Sequence, residues 1–176
     1  EKIQSAVIFE DSTIAVLDKP SGLAVHSGSG TPYGLIEALK ALRPEAEWGL
    51  AHRLDRGTSG CLVVGKEGGT TRALQGQFRR EAVAKAYLAL VVGEGPVGEH
   101  WEEAPLRRGP ERGGQRRMVA DPEGGDAAQT RFLALRPFAG YTLLRAEPKT
   151  GRTHQIRAHA RRMGTPVAGD GLYGER

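Results

Sequence analysis

Short apolar runs, each cut off by glycine, proline or a polar turn, most limit what this chain can become. Ala6-Val7-Ile8-Phe9 and Ile14-Ala15-Val16-Leu17 flank the turn residues Glu10-Asp11-Ser12, and Lys19-Pro20-Ser21-Gly22 ends the second run. Cys61-Leu62-Val63-Val64 follows a glycine, and Ala84 to Gly93 reads as a strand with Tyr87 near its start. Runs of this length between turn signals are strands. Thr130 to Leu135 and Tyr141 to Ala146 form a further pair around Pro137-Phe138-Ala139-Gly140. Only three stretches carry a helical signal. Leu35, Ile36, Leu39 and Leu42 recur at helical spacing before Pro44, Thr70 to Arg80 reads as a second helix, and Arg152 to Met163 is a third, ended by Gly164 and Pro166. Residues 94–128, rich in Gly, Pro, Arg and Glu, read as long loops or hairpins with a strand signal around Arg117-Met118-Val119. Many strands and few helices predict an α+β fold with a largely antiparallel sheet. At 176 residues the chain is the size of one domain, so residues 1–176 are expected to share one core.

Composition removes several classes. No apolar run approaches the ~20 residues that cross a bilayer, and the N-terminus has no basic segment followed by a long apolar stretch, so neither a membrane protein nor an exported one is expected. Cys61 is the single cysteine, which excludes an internal disulfide and a cysteine-based zinc site and suits a reducing cytoplasm. Lys+Arg 25 against Asp+Glu 21 leaves a net charge of +4, and only six of the 25 basic residues are lysine. Arginine's planar fork matches phosphate and base edges, although the same richness arises from coding composition alone.

Two segments concentrate chemistry. The first is His52-Arg53-Leu54-Asp55-Arg56-Gly57-Thr58-Ser59-Gly60, a polar loop between two apolar runs. A carboxylate between arginines is biased toward its anion and becomes a usable nucleophile; the plain alternative is a loop salt bridge with Thr58 and Ser59 as turn residues. The second is Thr150-Gly151-Arg152-Thr153-His154-Gln155-Ile156-Arg157-Ala158-His159. As a helix it gathers Thr153, His154 and Arg157 on one face and turns Ile156 to the core; the plain alternative is a basic surface helix. His154 and His159 lie ~140° apart around such a helix, which excludes shared metal ligation. Gly60 to Lys66 fits the spacing of a phosphate loop, but Glu67 replaces the required hydroxyl residue and the middle is an apolar strand. Ser59 lacks a nucleophile-elbow context, so triad hydrolysis is rejected. Tyr87 can stack on a base, or it can be a half-buried strand residue.

With these residues in view, HRLDRGTSGCLVVGK resembles the catalytic motif of the RluA-type pseudouridine synthases. VLDKPSGLAVHSG, KAYLALVVG and GRTHQIRAHARRMGTPVAGDGLYG match further family motifs in the same order, so the resemblance runs from about Ile8 to Gly174. It implies an RNA uridine-to-pseudouridine isomerase with a mixed, mainly antiparallel central sheet, no metal and no organic cofactor. By motif position Asp55 resembles the catalytic aspartate, Tyr87 the active-site tyrosine and Arg157 the basic residue paired with the aspartate. Arg53 resembles the arginine that fills the space left by the extruded nucleotide, and Ile156 a residue that packs beneath the base. His52, Thr58, Arg152, His154 and Gln155 fall in the same motifs and are expected at the substrate. The partner expected is structured ribosomal or transfer RNA, met in the cytoplasm by a monomer. Relatives usually continue beyond Gly174-Glu175-Arg176, and many carry a small RNA-binding domain ahead of the catalytic part. The chain is accordingly read as a catalytic domain alone, either a short member or one cut short.

Two rivals come from other classes. A non-catalytic RNA-binding module has no use for a carboxylate beside phosphates, which disfavours it. A nucleoside-bond hydrolase normally needs two carboxylates, and the second on offer, Asp170 in Ala168-Gly169-Asp170-Gly171, is expected to serve a turn or helix cap.

Overall fold

The computed structural model describes residues 6–28, 32–112 and 115–174; residues 175–176, on which the expectation of a shortened C-terminus bears, lie outside them. The fold is α+β, as the short runs predict. The chain divides into two compact units at Ala82/Val83, so the expected central sheet is distributed over two four-stranded sheets and a ribbon. Every strand pair among the described residues is antiparallel.

In the first unit β1 (Val7–Glu10), β2 (Ile14–Lys19), β3 (Gly49–Leu50) and β4 (Gly60–Gly65) form a sheet in the order β1-β2-β4-β3. Asp11 makes the first turn, its carboxylate accepting the amides of Thr13 (2.7 Å) and Ile14 (2.8 Å). Strand alternation sends Ala15, Leu17 and Lys19 of β2 inward, all with no exposed surface. Helix α1 (Leu35–Leu42) covers the core with Leu35, Ile36 and Leu39. Its first two amides go to the carbonyls of Ala24 (2.9 Å) and Val25 (3.0 Å), and Glu37 reaches back to the Gly34 amide (2.8 Å). Gly34 is required there, because a Cβ would lie 2.4 Å from the His26 backbone.

Helix α2 (Gly68–Arg79) begins two residues before the expected Thr70. It packs where Gly49 and Gly65, paired across β3 and β4, leave a notch for Thr71; a Cβ on either glycine would come within 2.4 Å of the threonine hydroxyl. Burying the missing methyls is sacrificed for close approach.

In the second unit β5 (Tyr87–Val92), β6 (Glu99–Glu102), β9 (Thr130–Phe138) and β10 (Tyr141–Pro148) stack in the order β5-β10-β9-β6. The region expected as loops or hairpins supplies β6 and a separate ribbon of β7 (Leu106–Arg112) and β8 (Gln115–Ala120). Helix α3 (Gln155–Arg162) lies between two apolar clusters. Ala160 joins Ala89, Val91, Phe132, Leu144 and Ala146, while Ala158 joins Leu106, Ala128, Leu172 and Tyr173. Residues two apart point to opposite sides of a helix, so both neighbours need small side chains at these positions. No described helix is long and apolar enough to cross a membrane.

Glu10 ties the first unit's edge together. Its carboxylate accepts both Nη atoms of Arg43 (2.8 Å each) and Nζ of Lys66 (2.7 Å). The Arg43 hydrogen bonds, then that of Lys66, lower its pKa from 4.5 to about 2. A lowered carboxyl stabilises the fold above its unfolded pKa and stops doing so as pH falls through the folded one. The Glu10→Gln variant should therefore be about 1 kcal/mol less stable than the parent at neutral pH. In urea titrations that gap should close between pH 4.5 and about 2; a gap that persists at the acid end would contradict the assignment.

Candidate active site

The aspartate loop is built by the first unit alone. It connects β3 to β4, with Leu54 buried as an anchor and Arg53, Arg56 and Gly57 exposed. Asp55 is half-buried, and the Thr58 amide donates to its carbonyl (3.0 Å), closing a tight turn. His52 is fixed from two sides. Its Nε2 accepts the Val63 amide (3.0 Å), and its ring stacks on Phe78 of α2 with centroids 4.3 Å apart. A nitrogen that accepts carries no proton, so the neutral ring holds its proton on Nδ1.

A second loop, residues 20–23, zips against this one. The Gly22 amide and the buried Lys19 ammonium donate to the Arg56 carbonyl (2.8 and 3.3 Å), Arg56 Nε returns a bond to the Gly22 carbonyl (2.9 Å), and Ser21 Oγ donates to the Gly57 carbonyl (2.8 Å). Lys19 also holds the carbonyls of Pro20 (2.9 Å) and Leu23 (2.8 Å). Burial pushes the lysine below its ordinary pKa, and the negative charge of Asp55 opposes that shift. Lys19 is thus both the staple between the loops and a cation stabilised by the charge of Asp55. Sequence reasoning treated Lys19 only as the end of a strand. The signal was present, since 15, 17 and 19 alternate onto one face and a lysine in that register must be solvated by the protein itself.

In the second unit Tyr87 opens β5 opposite Ala146 of β10 and, with Ile156, packs against the cluster around Phe132 and Leu144. The helix expected from Arg152 starts only at Gln155. Thr153 and His154 therefore precede it, and His154 has left-handed backbone (φ 52°). The cause is local: the Gln155 side chain accepts the Arg152 amide (2.9 Å) and the Thr150 hydroxyl (2.7 Å), stabilising a turn ahead of the helix. Gln155, expected at the substrate, is 4 % exposed, and its amide group donates to the Gln129 carbonyl and Thr130 Oγ1 (2.9 Å each). The same hydroxyl meets Nδ1 of the fully buried His159 (2.9 Å), whose Nε2 lies 3.0 Å from the Ala104 carbonyl. His159 and His154 thus have separate partners.

Arg157 projects from α3 and is gripped by Asp170, with Nε–Oδ2 2.6 Å and Nη2–Oδ1 2.9 Å; its guanidinium also lies 4.9 Å from the Tyr173 ring centre. Asp170 does make the expected turn, accepting the amides of Leu172 (3.0 Å) and Tyr173 (3.1 Å). The Arg157 pairing is additional and was not visible in the sequence. Burial alone would raise this carboxyl; the Arg157 hydrogen bonds and charge, with the two amides, outweigh it and hold it below the usual range. His154 Nδ1 lies 3.0 Å from the Tyr173 hydroxyl, which also accepts the Met118 amide (2.7 Å).

Several arginines that could serve phosphates also hold partners within the protein. Arg162 holds Glu102 (2.9 Å), Arg161 the Tyr173 carbonyl (2.5 Å), Arg152 the Ala127 carbonyl (2.9 Å), and Arg107 Asp121. Arg108 and Arg116 on the ribbon are exposed.

Replacing Lys19 by methionine keeps most of the stem and removes the charge. Three carbonyls of the two loops then lose a charged donor, and we expect a stability loss of about 2–4 kcal/mol. Hydrogen exchange should show the Gly22 and Thr58 amides opening before the β2–β4 ladder; uniform opening of the sheet would refute the staple.

Comparison with known proteins meets this geometry. The family model described as RNA pseudouridylate synthase matches residues 13–162. The ribosomal large subunit pseudouridine synthase C of Vibrio cholerae is 44% identical over 182 residues, covering 99% of this chain and 55% of the relative. The protein of the same name from Escherichia coli K12 is 45% identical over 175 residues, covering 99% of this chain and 54% of that one. The chain spans about half the length of these relatives. Among solved structures, human RNA pseudouridylate synthase domain containing 1 superposes with a TM-score of 0.81 at 26% identity, over 97% of this chain and 69% of the human one. Human RNA pseudouridylate synthase domain containing 4 gives 0.79 at 26% identity, over 99% and 70%. With the match running from β2 to the end of α3, this chain belongs to the RNA pseudouridylate synthase family.

Proposed function

We propose that residues 1–176 act as one catalytic domain that isomerises specific uridines of structured RNA to pseudouridine, with large-subunit ribosomal RNA as the substrate. The observation that carries this reading is the aspartate loop, which sets a half-buried carboxylate between exposed arginines and is held by the bond from Lys19 to the Arg56 carbonyl. The names of the relatives support the choice of RNA. We propose also that the protein works in the cytoplasm as a monomer, without metal or organic cofactor.

The reaction neither gains nor loses atoms. The N1–C1′ bond of uridine breaks, the uracil turns, C5 joins C1′, and the proton lost from C5 is balanced by one gained at N1. A stacked uridine is out of reach, so it must first be everted at a cost of a few kcal/mol. In this reading Arg53 takes the vacated space, Tyr87 stacks on the everted base, and Ile156 packs beneath it. His52 shapes the loop, Thr58 closes its turn, and Arg152 and His154 approach the RNA backbone. Asp55 acts on the ribose, either attacking C1′ or removing a sugar proton to give a glycal, and Arg157 is the basic residue that serves it. Both roles need a carboxylate, which an amide of the same shape cannot supply.

The Asp55→Asn variant should bind unmodified large-subunit ribosomal RNA like the parent, yet form pseudouridine roughly 10³-fold more slowly or not at all. Turnover at the parental rate would overturn the assignment, and release of free uracil would favour a hydrolase. Binding should weaken linearly with salt on logarithmic axes as phosphates shed counterions; salt-independent binding would argue against phosphate contacts.

A further inference from the structure

The grip on Arg157 is more elaborate than a helix needs for stability. A guanidinium carries five N–H donors in one plane. Asp170 takes the edge formed by Nε and Nη2, and the ring of Tyr173, itself 1 % exposed, covers the guanidinium from one face. An edge and a face together fix a planar group in both position and tilt. Nη1 is consequently turned away from Asp170, in a direction set by the clamp rather than by the rotamers of a long side chain.

The clamp is itself held. Asp170 has a side chain 5% exposed, and its Oδ1 is anchored by the amides of Leu172 and Tyr173. The Tyr173 carbonyl accepts from Arg161, and its hydroxyl accepts the Met118 amide and meets His154. Asp170 and Tyr173 thus hold the guanidinium, and Leu172, Arg161, Met118 and His154 in turn hold those two. By contrast Arg162, on the same helix, pairs with the buried Glu102 through a single nitrogen, and 55% of its side chain is exposed. One helix thus holds a rigidly framed arginine and a loosely tethered one.

We propose that Asp170, with Tyr173 as its floor, is a positioning residue that presents the guanidinium of Arg157 to the reaction. This rests on the reading of Arg157 given above. The amide of Asp170→Asn can still accept the Leu172 and Tyr173 amides through its oxygen, so the turn is retained. Its NH2 group, however, then faces the Arg157 Nε–H where Oδ2 stood, so the two-point grip falls to a single bond from Nη2 to the remaining oxygen and no longer fixes the fork.

The test compares Asp170→Asn, Arg157→Lys, the double variant and the control Glu102→Gln under single-turnover conditions on transcribed, unmodified large-subunit ribosomal RNA. Misplacing a reacting group by an ångström costs up to about 100-fold, so Asp170→Asn should slow the chemical step roughly 10–100-fold while RNA affinity changes less than about twofold. In the Arg157→Lys background the same change should add less than about twofold, because the clamp then has no fork to hold. Glu102→Gln should lower thermal stability and leave the rate alone. Nitrogen-edited NMR adds a readout independent of activity: the Arg157 Nε–H should exchange slowly in the parent and fast in Asp170→Asn. Parental rate in Asp170→Asn alongside an impaired Arg157→Lys overturns the proposal, as does equal slowing by Glu102→Gln. Parental rate in Arg157→Lys instead overturns the reading of Arg157. If Asp170→Asn does not fold, Asp170→Glu decides, since it keeps the charge and shifts it by one methylene; a parental rate there also overturns the proposal.

Discussion

A lysine ammonium with no exposed surface is the interaction on which the first unit's chemistry depends. A buried cation is tolerable only if the protein replaces the water it has lost, and Lys19 obtains that from carbonyls in two loops that are far apart in sequence. The energetic demand of the ion becomes a geometric constraint: the backbone around Asp55 must stay where the ammonium needs its carbonyls. A polar loop is thereby held by a charged staple in addition to its buried Leu54 anchor. The glycine at 22, with φ +87°, lets the opposing loop turn back to complete the set.

The second unit solves a related problem by other means. Its helix α3 is too polar to be held by apolar packing alone, with Gln155 and His159 both buried. Each polar atom in that layer finds a neighbour: Gln155 with Thr130, Thr150 and Gln129, and His159 with Thr130 and Ala104. Buried networks of this kind stabilise only when complete, and in return they fix the helix's rotation and depth. Burial lowers the pKa of His159, which keeps this network in its neutral form. Helix rotation then determines where Arg157 leaves the surface.

Much of this was legible from residue order. The apolar runs gave β1, β2, β4, β5, β9 and β10, and the spacing of Leu35, Ile36 and Leu39 gave α1 to the residue. The aspartate loop stood out because polar types cluster between two strands. What escaped were contacts that sequence separation hides. Asp170 looked like a turn residue and is one, but its bond to Arg157 depends on the chain coming back beside α3. The start of α3 was misplaced because Gln155, an ordinary helix residue by propensity, uses its side chain to hold a turn instead. Two sheets rather than one could not be read from strand patterns, since alternation reports a strand's faces and not its neighbours.

The left-handed residue ahead of α3 carries a further implication. Glycine would adopt that backbone without penalty and asparagine with little, whereas an imidazole-bearing residue does so at a cost. Glycine, however, has no ring to place edge-on against Tyr173, 5.7 Å away between centroids. The site thus forgoes local comfort for a fixed corner, so the direction in which the chain enters the helix is decided by a neighbour's aromatic face as much as by its own torsions.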